Sequence, residues 1–112
     1  MGLCDRCGSR CIRQGTTPMQ LFIFPVDPTQ LNEIEVTYEQ QGQILFVRTK
    51  NDFTFDENNR GYFYLTQEET FQLKKNTKVQ VQLRALKNDH AVATTIWDVP
   101  VKESLNKDIL EV

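Results

Sequence analysis

A chain of 112 residues, 39% of them hydrophobic, is the size of one compact domain, because a second core would leave both undersized. A formal net charge of -2 argues against a general nucleic-acid binder, which needs clustered Lys and Arg, and no apolar run approaches the roughly 20 residues of a membrane span. The charge is uneven: residues 1–18 hold Arg6, Arg10 and Arg13 against Asp5, which leaves ten basic against fourteen acidic side chains in the remainder.

All three cysteines fall at the start, in "CDRCGSRC". This polar, cysteine-rich opening lacks the apolar core of a signal peptide, so the expectation is synthesis in a host cytoplasm, where an odd trio of cysteines builds no disulfide framework. Cys4, Cys7 and Cys11 have the spacing C-x2-C-x3-C, whose first step suits two thiolates closing on one zinc ion. A fourth ligand would have to be His90, Asp5 or a neighbouring subunit. The bland alternative is a flexible basic arm over residues 1–14, with Arg6, Arg10 and Arg13 available to an acidic partner.

From Met19 the hydrophobic period is two, the signature of strands. "MQLFIF" puts Met19, Leu21 and Ile23 on one face and Phe22 and Phe24 on the other, and ends at Pro25 and Pro28. "IEVTYEQ" turns Ile34, Val36 and Tyr38 inward, and Gln41-Gly42 predicts a hairpin into "QILFVRT". "DFTF" and "GYFYL" follow, separated by the polar loop "DENNRG". Tyr62, Phe63 and Tyr64 beside Arg60 could stack a ligand, but alternation buries about half of such rings and core packing is the better explanation. Thr66 followed by Glu69 is a capping box, predicting a helical corner packed through Leu65, Phe71 and Leu73.

"KVQVQLRAL" returns to alternation, and "AVATTIWDVPV" reads as one partner strand with Trp97 as a core plug. Gln80, Gln82 and Arg84 form a nearly uncharged polar face suited to receiving another protein. In "KESLNKDILEV", Leu105 and Ile109 at i and i+4 suggest a short helix. The expected fold is therefore an all-β, antiparallel two-sheet sandwich of immunoglobulin-like form, about seven strands with one helical corner. It divides into an arm at 1–14, the sandwich at 15–101 and an extension at 102–112.

Catalysis finds little footing. The chain has one histidine, its adjacent carboxylate pairs Asp56-Glu57 and Glu68-Glu69 suit capping and solvation, and no glycine motif cradles phosphate.

Three stretches carry a resemblance: "RQGTTPMQLFIFPVDPTQLNEIEVTYEQQGQILF", "YLTQEETFQL" and "VQVQLRALKNDHAVATTIWDVPV". Together, over residues 13–110, they resemble short proteins encoded among the structural genes of Firmicutes tailed bacteriophages and prophages. The resemblance implies a virion component that contacts capsid or tail proteins and copies of itself, with no catalytic residues to transfer. The cysteine segment lies outside it. The expectation is a non-enzymatic structural protein assembling through its arm and sheet edges onto a head or tail; the alternative is a small zinc-dependent adaptor using Cys4, Cys7 and Cys11.

Overall fold

The computed structural model describes residues 11–94 and 96–111. The chain runs β1 (Ile12–Arg13), β2 (Met19–Ile23), β3 (Glu33–Gln40), β4 (Gln43–Thr49), β5 (Thr54–Phe55), β6 (Arg60–Tyr64), α1 (Gln67–Gln72), β7 (Lys78–Lys87), β8 (His90–Ala93) and β9 (Trp97–Lys102). The large sheet has the order β1-β9-β7-β3-β4, with β8 on the second half of β7; the small sheet has the order β2-β6-β5. Every pairing is antiparallel except β1 beside β9, where Ile12 lies opposite Val101. Two sheets of this strand order, linked by a helical corner before β7, make an immunoglobulin-like sandwich.

Alternation explains which residues face inward. Ile34, Val36 and Tyr38 of β3 and Val79, Val81, Leu83 and Ala85 of β7 are buried from the large sheet, while Phe24, Phe53 and Phe63 close the core from the other side. The β3–β4 hairpin turns on Gln41 and Gly42, both at positive φ (53° and 80°), which matches the twist of the strands it joins. The corner forms as its sequence dictates. Thr66 Oγ1 accepts from the Glu69 amide at 3.1 Å, and the Thr66 amide donates to Glu69 Oε1 at 2.8 Å.

Several glutamines act as backbone partners. Gln40 is buried; its Nε2 donates to the Lys74 carbonyl at 3.0 Å and its Oε1 accepts from the Lys74 amide at 2.7 Å. Gln14, also buried, donates to the Leu73 carbonyl at 2.7 Å and accepts from Lys107 Nζ at 2.9 Å. Gln67 pairs with both backbone groups of Leu110, each at 2.8 Å. Such pairs satisfy loop backbone that no strand reaches.

Three expectations need correction. The segment 91–101 is two strands, not one: the Thr94 amide makes a last ladder bond to the Leu83 carbonyl at 2.9 Å, but the Leu83 amide donates to Thr94 Oγ1 at 3.1 Å in place of the Thr94 carbonyl, so the ladder ends there and the chain restarts at Trp97. Trp97 consequently sits at the rim, 39% exposed and with its ring 5.8 Å from Phe22, rather than plugging the core. No helix forms among the described residues after Lys102. Leu105 is fully exposed there, and one apolar pair cannot offset the cost of nucleating a helix whose backbone at Leu110 is already claimed by Gln67. Third, the expected arm at 1–14 extends too far, because Cys11, Ile12 and Gln14 are buried parts of the sandwich.

Candidate protein-interaction surface

The small sheet ends at β2, and this edge is unusual in its chemistry. Its register with β6 pairs Gln20 with Phe63 and Phe22 with Gly61, and the same ladder continues as Leu65 N–H to the Pro18 carbonyl (3.1 Å) and Phe24 N–H to the Asn59 carbonyl (2.8 Å). Residues 18, 20, 22 and 24 thus turn their backbone groups toward β6. Antiparallel geometry then points those of Met19, Leu21 and Ile23 outward from the sheet. Gln20 Nε2 reaches back to the Met19 carbonyl at 3.2 Å.

Natural sheet edges are ordinarily short or guarded by charge. β1 and β5 are two residues long and β4 carries Arg48, whereas β2 is "MQLFI", five uncharged residues. Its outward side chains are apolar as well: Met19, Leu21 and Ile23 are 47%, 46% and 76% exposed, and Tyr64, opposite Met19, is 57% exposed. Beside this edge the sandwich stands open. A groove of about 1090 Å³ runs between β2 and the rim formed by Val92, Trp97 and Val99, floored by Val81 and Leu83.

Polar ties link the two sheets on either side of the core. Tyr38 Oη donates to Gln20 Oε1 at 2.9 Å, linking β3 to β2, and burial pushes the phenol well above its ordinary pKa, so it remains a neutral donor. On the opposite side Arg48 of β4 crosses to Glu69 of the corner, its guanidinium 5.6 Å from the Phe63 ring centre.

The sequence candidates are distributed differently. Gln80, Gln82 and Arg84 do lie on the outer face of the large sheet, but all three are engaged within the chain: Gln82 with the Thr94 carbonyl (3.1 Å), Arg84 with Glu35 (2.6 Å) and Gln80 with Asp98 (3.5 Å). Arg13 is built into β1 and donates to the Glu103 carbonyl at 2.8 Å. Cys4, Cys7, Arg6 and Arg10 lie outside the described residues. Cys11 is buried, and among the described residues no three His, Cys, Asp or Glu side chains gather as a metal site. His90 is exposed at the turn after β7, nine residues along that strand from Lys78 and so about 30 Å from the end where β1 lies. It cannot complete a site with Cys11 in one subunit. Of the two faces that alternation offered, the one with Phe63 is buried, and Tyr62 and Tyr64 form the outer face.

Sequence reasoning singled out the polar strand and passed over β2. The signal was present: six residues from Met19 to Phe24 without a charge, bounded by Pro18 and Pro25. Only the sheet order reveals that this strand is an edge.

No family model and no curated protein matches the chain. Solved structures similar to it include the immunoglobulin-like domain of mouse leukocyte-associated immunoglobulin-like receptor 1, a strand-swapped dimer, at 13% identity over 84% of this chain and 85% of that one, with a TM-score of 0.47. The extracellular domain of the same mouse receptor, also a strand-swapped dimer, matches at 12% identity over the same shares with a TM-score of 0.45.

Proposed function

We propose that this domain is a non-enzymatic assembly module that docks through the β2 edge and its apolar outer face, as a building block of a bacteriophage head or tail. The docking reading is carried by the combination at β2: outward-pointing backbone groups, no charged side chain, and an apolar face beside an apolar groove. Strand addition uses such features, with main-chain bonds supplying affinity and side-chain pockets supplying selectivity. The virion setting rests on the sequence resemblance of residues 13–110. Repetition on a symmetric particle lets contacts that are individually weak hold together.

The zinc-adaptor alternative gains nothing from the described residues, since Cys11 is committed to the sandwich and His90 stands at its far end.

The test is co-purification. Particles from a culture producing the chain are banded on a density gradient, and peptides of the chain are quantified against the major particle protein. A fixed ratio, reduced by Ile23→Lys, is the expected result. A chain that never enters the particle band ends the virion proposal.

A further inference from the structure

Resting on the assembly reading, we infer that the occupant of the β2 edge is β2 of a second copy, paired antiparallel about a two-fold axis through Leu21. The hydrogen-bond phase selects that centre. Because Met19, Leu21 and Ile23 present the outward N–H and C=O groups, an axis at Leu21 sets Leu21 opposite Leu21 and Met19 opposite Ile23 as bonded pairs. Shifting the register by two residues would leave one pair at each end without its partner, against Pro18 on one side and the Pro25 turn on the other.

Charge permits self-pairing here. An antiparallel two-fold places every side chain opposite or diagonal to one from the same short strand, so any charge in the strand would meet its like. "MQLFI" has none, and the apolar outer faces become continuous across the axis. The chain's own residues 1–10, "MGLCDRCGSR", are a poorer chemical match: two arginines, an aspartate and two glycines would face a groove lined by Phe22, Leu83 and Trp97.

Pairing also fills the groove. A strand added beside β2 turns its Gln20 and Phe22 to the same side as those of the first copy, which sets Gln20 of the second copy opposite Phe22, the ring that lies 5.8 Å from Trp97. Trp97 is the single tryptophan of the chain, so its fluorescence reports on assembly.

The experiment is sedimentation velocity of the full chain under reductant from about 1 to 300 µM, a range suited to a small edge interface. The expected species has twice the 13.1 kDa chain mass and a Trp97 emission that shifts with concentration. Leu21→Lys and Ile23→Lys, at outward positions, are each expected to yield a monomer whose denaturation midpoint equals that of the wild type diluted until it is monomeric. Leu21→Cys in a Cys4→Ser, Cys7→Ser background is expected to crosslink on oxidation, because bonded pairs hold Cα atoms about 5.5 Å apart, within disulfide reach. A wild-type monomer across the range overturns the inference, as does a dimer that survives both lysine variants. Dimerisation that appears only after residues 1–10 are deleted would give the edge to the chain's own segment and also overturns it. A monomer found in particles defeats this inference alone; a dimer absent from particles defeats only the virion setting.

Discussion

The Tyr38 hydroxyl donates to Gln20 Oε1 at 2.9 Å, so an interior strand of the large sheet is tied to an edge strand of the small one. Tyr38 itself is wholly buried and stacks on Phe46 with ring centres 4.7 Å apart. The bond fixes β2 laterally without any contribution from an outer neighbour.

Tyr38→Phe retains the stack and removes the tie, and is expected to lower stability by about 1 kcal/mol at neutral pH. It should also change the alkaline response. Burial raises the folded-state pKa, so the group's contribution is complete below the unfolded value of about 10 and is lost as pH rises above it toward the folded value. Chemical denaturation at pH 7 and at increasing alkaline pH checks both: the wild type should lose stability above pH ~10 more steeply than the variant.

Glu69 has two duties, capping the corner and pairing with Arg48, and their side chains are only 13% and 18% exposed. Thr66→Ala removes the cap alone and should cost about 1 kcal/mol. Glu69→Ala should cost about 2 kcal/mol or more, because Arg48 is left largely enclosed without its counter-charge. Equal costs in a denaturant titration would show that the ion pair contributes nothing.

Cys11, Ile12 and Gln14 are buried, which sets the start of the structural part of the chain at Cys11. Deleting residues 1–10 should leave the denaturation midpoint unchanged, whereas Ile12→Ala, which empties a site of 1% exposure, should cost about 2–4 kcal/mol. If the short deletion unfolds the protein, the division is wrong.

Much of this architecture was legible in the residues. Alternation in β3 and β7 identified the core faces, Gln41-Gly42 the hairpin and Thr66 with Glu69 the corner, because each signal is local and its partner lies within a few positions. What escaped was non-local. Whether Met19, Leu21 and Ile23 meet water or protein depends on a neighbour strand that sequence does not place, and the break at Thr94 depends on its hydroxyl meeting the Leu83 amide on the adjacent strand. The roles of Gln14 and Gln40 escaped for the same reason, since the backbones they satisfy lie 59 and 34 positions away.

Acid should act on the periphery first. The Lys75 hydrogen bond holds the Glu103 carboxyl below its ordinary pKa, and the Thr29 hydroxyl and amide do the same for Asp27. Their depressed folded values mean that these contributions are present above the ordinary carboxylate pKa, about 4, and are lost as pH falls through the folded values. The protection of the Ser104 amide, taken relative to its intrinsic exchange rate at each pH, should therefore fall below about pH 4 while that of Val36 is retained. Simultaneous loss of both would indicate global unfolding instead.

The Gly15 amide donates to Thr70 Oγ1 at 2.9 Å, and that hydroxyl lies 3.0 Å from the Thr16 carbonyl to which it can donate in turn. Gly15 holds φ at +78°, and a methyl group added there would come within 2.7 Å of the Phe71 ring. The turn after β1 and the helical corner are therefore welded through one hydroxyl and one missing side chain, although 55 residues separate them. Neither can detach alone: once β1 is stripped from β9, tension from the N-terminal side reaches the corner through Gly15, so the turn and the corner give way in one step.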